Sequence, residues 1–207
     1  MAFKGKYSRK YKPHYKRKSV KAIVKSVLKN QSETNHFDVS VASADVDHNG
    51  IIAHLNPVVQ GDDGDERIGM KVEGKALKFH GFFTPKFSAP NLDPYLCKVM
   101  IVVDTRQVDS TTPSVAAVLS TYGTAQGALS FANPDNLGRF KILKSKTFYV
   151  GGADYKSRVL DFYCPLKGLK SSFSAPAGTA ITGNGIYLIA ISQGVTAADP
   201  PRLAYYS

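Results

Sequence analysis

The first thirty residues of the chain hold eleven lysines and arginines and no carboxylate, the first acid being Glu33. The cations are Lys4, Lys6, Arg9, Lys10, Lys12, Lys16, Arg17, Lys18, Lys21, Lys25 and Lys29. The whole chain has 27 basic and 16 acidic residues, so the remainder carries sixteen of each sign and no net charge. Like charges at this density repel one another, and too few apolar side chains lie among them to offset the entropy of ordering. Residues 1–18 are therefore expected to be disordered in isolation. Whatever folds must come from the neutral remainder, which is long and apolar enough for one domain with its own core.

A cationic tail of this kind attracts a polyanion. Tyr7, Tyr11 and Tyr15 recur every fourth residue among the cations, with Phe3 ahead of them. Aromatic faces stack on unpaired bases while lysine and arginine neutralise phosphates, a combination that favours single-stranded nucleic acid. Lys16-Arg17-Lys18 would serve equally as a nuclear-import or solubility signal, and import is compatible with binding.

Residues 19–30 carry a different pattern. Val20, Ile23, Val24, Val27 and Leu28 fall at the spacing of one helical stripe, with Lys21, Lys25 and Lys29 on another face and Ser19 placed to cap the N-terminus. So short a helix, rich in β-branched residues, is marginal alone. Its stripe calls for a partner: the domain, a membrane surface or, as the favoured reading, a neighbouring subunit.

From residue 36 the pattern is that of strands. Phe37, Val39 and Val41 alternate with polar or small residues, and 71–84 places Leu77, Phe79 and Phe83 on one face. Residues 96–104 form an almost unbroken apolar run, expected of a central strand covered on both faces. Residues 139–151 read as two short strands hinged at Lys144-Ser145-Lys146, and 157–166, 184–192 and 201–206 complete a set of eight. Thr112-Pro113 is placed to open a short helix running to Leu119. Eight strands, long polar connections and no βαβ repeat predict an all-β sandwich or jelly roll. The expected organisation is a basic arm over 1–30 and a shell-like β domain over 31–207.

Reactive constellations are scarce. His14, His36, His48, His54 and His80 have no catalytic context, and no phosphate loop, nucleophile elbow or metalloprotease motif occurs. The chain reads as no enzyme, with no cofactor and no metal. Asp45-x-Asp47-x-Asn49-Gly50 matches half of a calcium-binding loop, but Asn56 stands where the closing glutamate should be, so a polar turn is expected. Asp62, Asp63, Asp65 and Glu66 form an acidic loop whose default reading is solvation. A subunit ion pair and calcium are the alternatives. Cys97 and Cys164 lie in apolar runs and are expected as buried thiols. No segment has the length of a membrane-spanning helix, and the N-terminal residues lack the apolar core of a secretory signal.

Gln60-Gly61, followed by Arg67-Ile68-Gly69-x-Lys71 and a strand ending in Gly81, resembles a signature of capsid proteins of circular Rep-encoding single-stranded DNA viruses. Further matches come in order: a Phe140-Lys-Ile-Leu hairpin, a Leu160–Leu166 strand, Asn184-Gly-Ile-Tyr-Leu and a final strand ending in Tyr205-Tyr206. The resemblance spans most of 35–207, and coat proteins of small plant satellite RNA viruses look similar.

The resemblance implies a single eight-stranded viral jelly roll of two four-stranded antiparallel sheets. It implies a homo-oligomeric icosahedral shell of about sixty copies, a T=1 virion, whose arms together supply on the order of 700 positive charges. Single-stranded nucleic acid, preferably DNA, would be the packaged partner, with assembly in the host nucleus or cytoplasm. The Gln60–Lys71 motif would lead into the second strand, its glycines forming turns and Arg67 fixing the loop through carbonyls or acids. The alternative function is a non-viral monomeric nucleic-acid-binding protein with a basic tail, which should show a basic face on its folded domain.

Overall fold

The computed structural model describes residues 19–31, 34–85, 94–107, 111–120, 127–151, 157–175, 179–194 and 201–207. It divides into two compact units, Met1–Thr34 and Asn35–Ser207. In the first, α1 spans Val20–Gln31. Ser19 caps it, its Oγ accepting from the Ala22 amide at 3.3 Å.

The second unit is built from strands. Among the described residues they are β1 (Ser40–Asp45), β2 (Ile51–His54), β3 (Lys71–Thr84), β4 (Tyr95–Asp104), β5 (Phe140–Val150), β6 (Arg158–Phe173), β7 (Ile181–Gly183), β8 (Gly185–Ser192) and β9 (Arg202–Tyr206). All pairings are antiparallel. One sheet has the order β1-β9-β3-β6-β7 and the other β2-β8-β4-β5. Setting β7 aside, eight strands divide four and four between two sheets in the Greek-key order of a jelly roll, β4 and β5 being the one consecutive pair in the same sheet. The expected four-stranded sheet β1-β9-β3-β6 is widened to five by β7, a three-residue strand held on the end of β6.

Several boundaries differ from the sequence expectation, each for a physical reason. Strand β1 begins at Ser40 rather than near Phe37, although the ladder continues one step earlier, where Val39 and Ser207 exchange backbone hydrogen bonds at 2.9 Å. Phe37 instead packs against a small cluster of Val58, Phe173 and Ile181. Residues 140–150 form one strand and neither two strands nor a hairpin. The interruption at Lys144-Ser145-Lys146 is a register shift against β4, not a hinge. Strand β2 escapes a period-two reading because both its faces are half-buried, Ile51 and Ala53 towards one cluster and Ile52 towards another. The Gln60–Lys71 motif therefore leads into the third strand. That strand passes through Gly81 to Thr84, and Gly81 is where a Cβ would lie 2.7 Å from the Phe79 ring. The short helix α2 covers Val115–Val118, opened by Ser114, whose Oγ accepts from the Ala117 amide at 3.2 Å, and not by Pro113.

Strand β4 shows why its sequence is continuously apolar. Cys97, Val99, Ile101 and Val103 point between the sheets with Phe79, Phe83, Leu160, Leu188 and Leu203. Met100 and Val102 point the other way, beneath Val115, Val118 and Leu119 of the β4–β5 connection. Burial on both faces was expected for this run. Each such aliphatic side chain contributes roughly 1.5–3 kcal/mol of transfer free energy.

A polar cluster ties the sheets at one end. Asn56 Oδ1 accepts from the Ile186 amide at 2.7 Å, so the His54 Nε2 that lies 3.0 Å from the same oxygen carries the proton. Asn56 Nδ2 donates to Ser171 Oγ at 2.9 Å, and Ser171 Oγ donates to the Asn184 carbonyl at 2.9 Å. The bonds run from β2 and β8 in one sheet to β6 in the other.

Candidate nucleic-acid interface

Of the residues assigned to nucleic-acid binding, Lys4, Lys6, Tyr7, Arg9, Lys10, Tyr11, Lys12, Tyr15, Lys16, Arg17 and Lys18 lie outside the described residues. Lys21, Lys25 and Lys29 lie on α1, four residues apart, and so share one helical face. Lys21 is exposed. Val20, Ile23, Val24 and Val27 are also exposed, so the apolar stripe anticipated from the sequence is open along these four positions.

The Gln60–Lys71 motif is a closed structural device. Arg67 is only 3% exposed, and its Nε donates to the Val58 carbonyl at 3.0 Å. One Nη donates to the Gly69 carbonyl and the other to the Ala175 carbonyl at 2.9 Å. The guanidinium also lies 4.0 Å from the Phe173 ring centroid. Burial lowers its pKa from the ordinary arginine value. Its planar fork of donors thus holds three separate backbone segments together, a task the single ammonium of lysine cannot perform.

The acidic loop beside it is internally organised. Glu66 Oε2 accepts from the Asp63 amide at 3.0 Å, and the Glu66 amide donates to the Asp63 carbonyl at 3.0 Å. A Cβ at position 61 would meet the Glu66 carboxylate, so a side chain there would push that carboxylate off the Asp63 amide. At the β1–β2 turn, Asp47 Oδ1 accepts from the amides of Asn49 and Gly50 at 2.9 and 3.1 Å, while Asp45 pairs with Arg202 at 2.9 Å. The half-loop of calcium-binding pattern is thus the polar turn expected for it. No grouping of three metal-ligating side chains occurs among the described residues.

The described histidines are spread over the fold and engaged one by one. His36 meets Asp38, His48 the Gly194 carbonyl, His54 Asn56, and His80 Asp161. Both cysteines are buried free thiols, as anticipated. Burial pushes the Cys97 thiol up to about 12 and raises that of Cys164, against which the nearby Lys144 acts.

Sequence reasoning passed over a row of cations on β5. Lys146, Lys144 and Lys141 are exposed and lie opposite Val99, Ile101 and Val103 of β4. A simple alternation would put position 141 on the opposite face from 144, so the row is invisible until the bulge is known.

No family model matches this chain, and no curated protein matches it. Among solved structures it is similar to a chain of desmodium yellow mottle tymovirus, with 13% identity and a TM-score of 0.32, over 85% of this chain and 88% of that one. At that level the likeness adds nothing to what the strand order itself establishes.

Proposed function

We propose that this chain is a viral capsid protein that self-assembles into a small icosahedral shell and packages single-stranded nucleic acid through its N-terminal arm. The observation that carries the reading is charge segregation: a jelly roll without net charge follows an arm of eleven cations and no acid. A jelly roll alone serves capsids, lectins and metal-binding enzymes alike, so the fold does not decide the function. The arm supplies the distinction. A neutral domain lets many copies crowd together without mutual repulsion, while their arms concentrate positive charge where a polyanion can neutralise it.

The sequence resemblance to capsid proteins of circular Rep-encoding single-stranded DNA viruses supports the same reading and favours DNA and a shell of about sixty copies, with assembly in the host nucleus or cytoplasm. Packaging on these terms is driven by phosphate contacts and is largely independent of sequence, with base stacking on Tyr7, Tyr11 and Tyr15 as its one preference.

The test compares the full chain with a variant lacking residues 1–18, measuring nuclease-protected nucleic acid in purified particles. Loss of protected nucleic acid with particles retained is the expected result. Full packaging by the truncated chain would overturn the role of the arm. Binding of single strands by the full chain should also weaken with salt, with a log–log slope reaching between about −7 and −8 if all eleven cations meet phosphates.

A further inference from the structure

Strand β5 closes one edge of the four-stranded sheet, so one of its sides has no neighbouring strand among the described residues. Its pairing with β4 runs Lys146 to Val99 and Lys144 to Ile101, then shifts register between Ile101 and Val102, and resumes with Ile142 to Val102 and Lys141 to Val103. The three partners Val99, Ile101 and Val103 all point between the sheets. The extra residue in β5, Leu143, thus turns Lys141 onto the same face as Lys144 and Lys146. All three are exposed, although they occupy positions that on a central strand would face the core.

Strands β5 and β6 come together along this edge. Strand β5 carries no acid, and the one acid of β6, Asp161, meets His80. None of the three lysines is ion-paired with a described residue. A domain with no net charge therefore gathers a line of point charges along one rim, roughly 16 Å long over the five steps from 141 to 146.

We infer that this rim is a second contact surface for single-stranded nucleic acid, made by the folded domain and separate from the arm. The inference rests on the function proposed above and extends it. Lysine is depleted at protein interfaces, whose centres favour aromatic side chains and arginine, whereas a line of lysines suits a chain of phosphates. The contact is sequence-independent, since lysine offers a point charge without the geometry to read base edges.

The test measures binding of a fluorescently labelled oligothymidylate by the full chain, at concentrations below those that give particles, as a function of salt. In the triple variant Lys141→Gln/Lys144→Gln/Lys146→Gln the log–log slope should shrink by about 2, from roughly 0.7 for each lost phosphate contact on a single strand. The corresponding triple lysine-to-arginine variant should keep the original slope. A control triple elsewhere on the domain, Lys71→Gln/Lys78→Gln/Lys170→Gln, removes the same charge and should leave the slope near that of the original chain.

Equal shrinkage in both glutamine triples would reduce the effect to net charge and overturn the inference. An unchanged slope in the β5 triple would also overturn it, leaving the lysines as guards of an exposed sheet edge. Loss of particles with an unchanged slope would assign the rim to contacts between copies instead. A slope near zero in the original chain would remove the arm's function itself, which separates that failure from failure of the rim.

Discussion

Asp104 at the end of β4 and Arg139 just before β5 form a two-pronged ion pair across the base of the long β4–β5 connection. Arg139 Nη2 lies 2.7 Å from Asp104 Oδ2, and Nε lies 3.0 Å from Oδ1. The Asp104 side chain is fully buried, and the Arg106 amide donates to it as well, at 3.2 Å. The pair fixes where the connection leaves one strand and enters the next. That connection carries Val115, Val118 and Leu119 over the outer face of the four-stranded sheet.

Replacing Arg139 by alanine strands a buried carboxylate with fewer donors. Breaking such a pair costs up to 3–5 kcal/mol, and with Arg139 partly exposed and the Arg106 amide still in place the loss should be about 2–3 kcal/mol. Arg139→Lys should recover little of it, because the two-pronged geometry is lost. Urea denaturation midpoints check both variants. Asp104→Asn, which removes the charge and keeps the shape, should cost less than Arg139→Ala.

Arg67 leads to a second expectation. Arg67→Ala would leave the buried Val58 carbonyl without this donor, whereas the Gly69 and Ala175 carbonyls are open enough for water to replace it. At about 1–3 kcal/mol for the one stranded group, plus about 1 kcal/mol for the exchanged bonds, the loss should be about 2–4 kcal/mol. It should appear locally as faster amide hydrogen exchange across residues 58–70 and around Ala175. Arg67→Lys should resemble the alanine variant more than the parent. Unchanged protection in these segments would contradict the clamp.

The third concerns pH. Burial lowers the His54 pKa from 6.5 to about 4, against the opposing effect of its hydrogen bond to Asn56. Between these values the unfolded chain binds a proton that the folded chain refuses. The contribution of neutral His54 is therefore complete above about pH 6.5 and is lost as pH falls to about 4, below which no further loss follows. Discounted for partial exposure, the change is about 2–3 kcal/mol. His54→Gln can still donate towards Asn56 but does not titrate, so its stability relative to the parent should rise as pH drops through this window. Parallel pH profiles for the two chains would contradict the assignment.

Much of this architecture could be read from the residues, for identifiable reasons. Strands β3, β4, β8 and β9 were legible because one or both faces are buried along most of their length, which leaves alternation or an apolar run in the sequence. Strand β2 was missed because four residues with two half-buried faces give neither signal, and β7 because Ile181-Thr182-Gly183 is too short to show a period. The bulge at Leu143 was invisible because register belongs to a pair of strands and not to one. Missing it split β5 in two and hid the row of Lys141, Lys144 and Lys146. Arg67 and the acidic loop stood out as a motif, yet their partners, such as Ala175, lie too far along the chain for spacing to suggest them.

The shell hypothesis is tested most directly by size-exclusion chromatography of the expressed full chain, recording absorbance at 260 and 280 nm and imaging the void fraction by negative-stain microscopy. The account predicts uniform closed particles whose 260 nm absorbance exceeds that of protein alone. A monomer with protein-like absorbance at low salt would contradict both assembly and packaging.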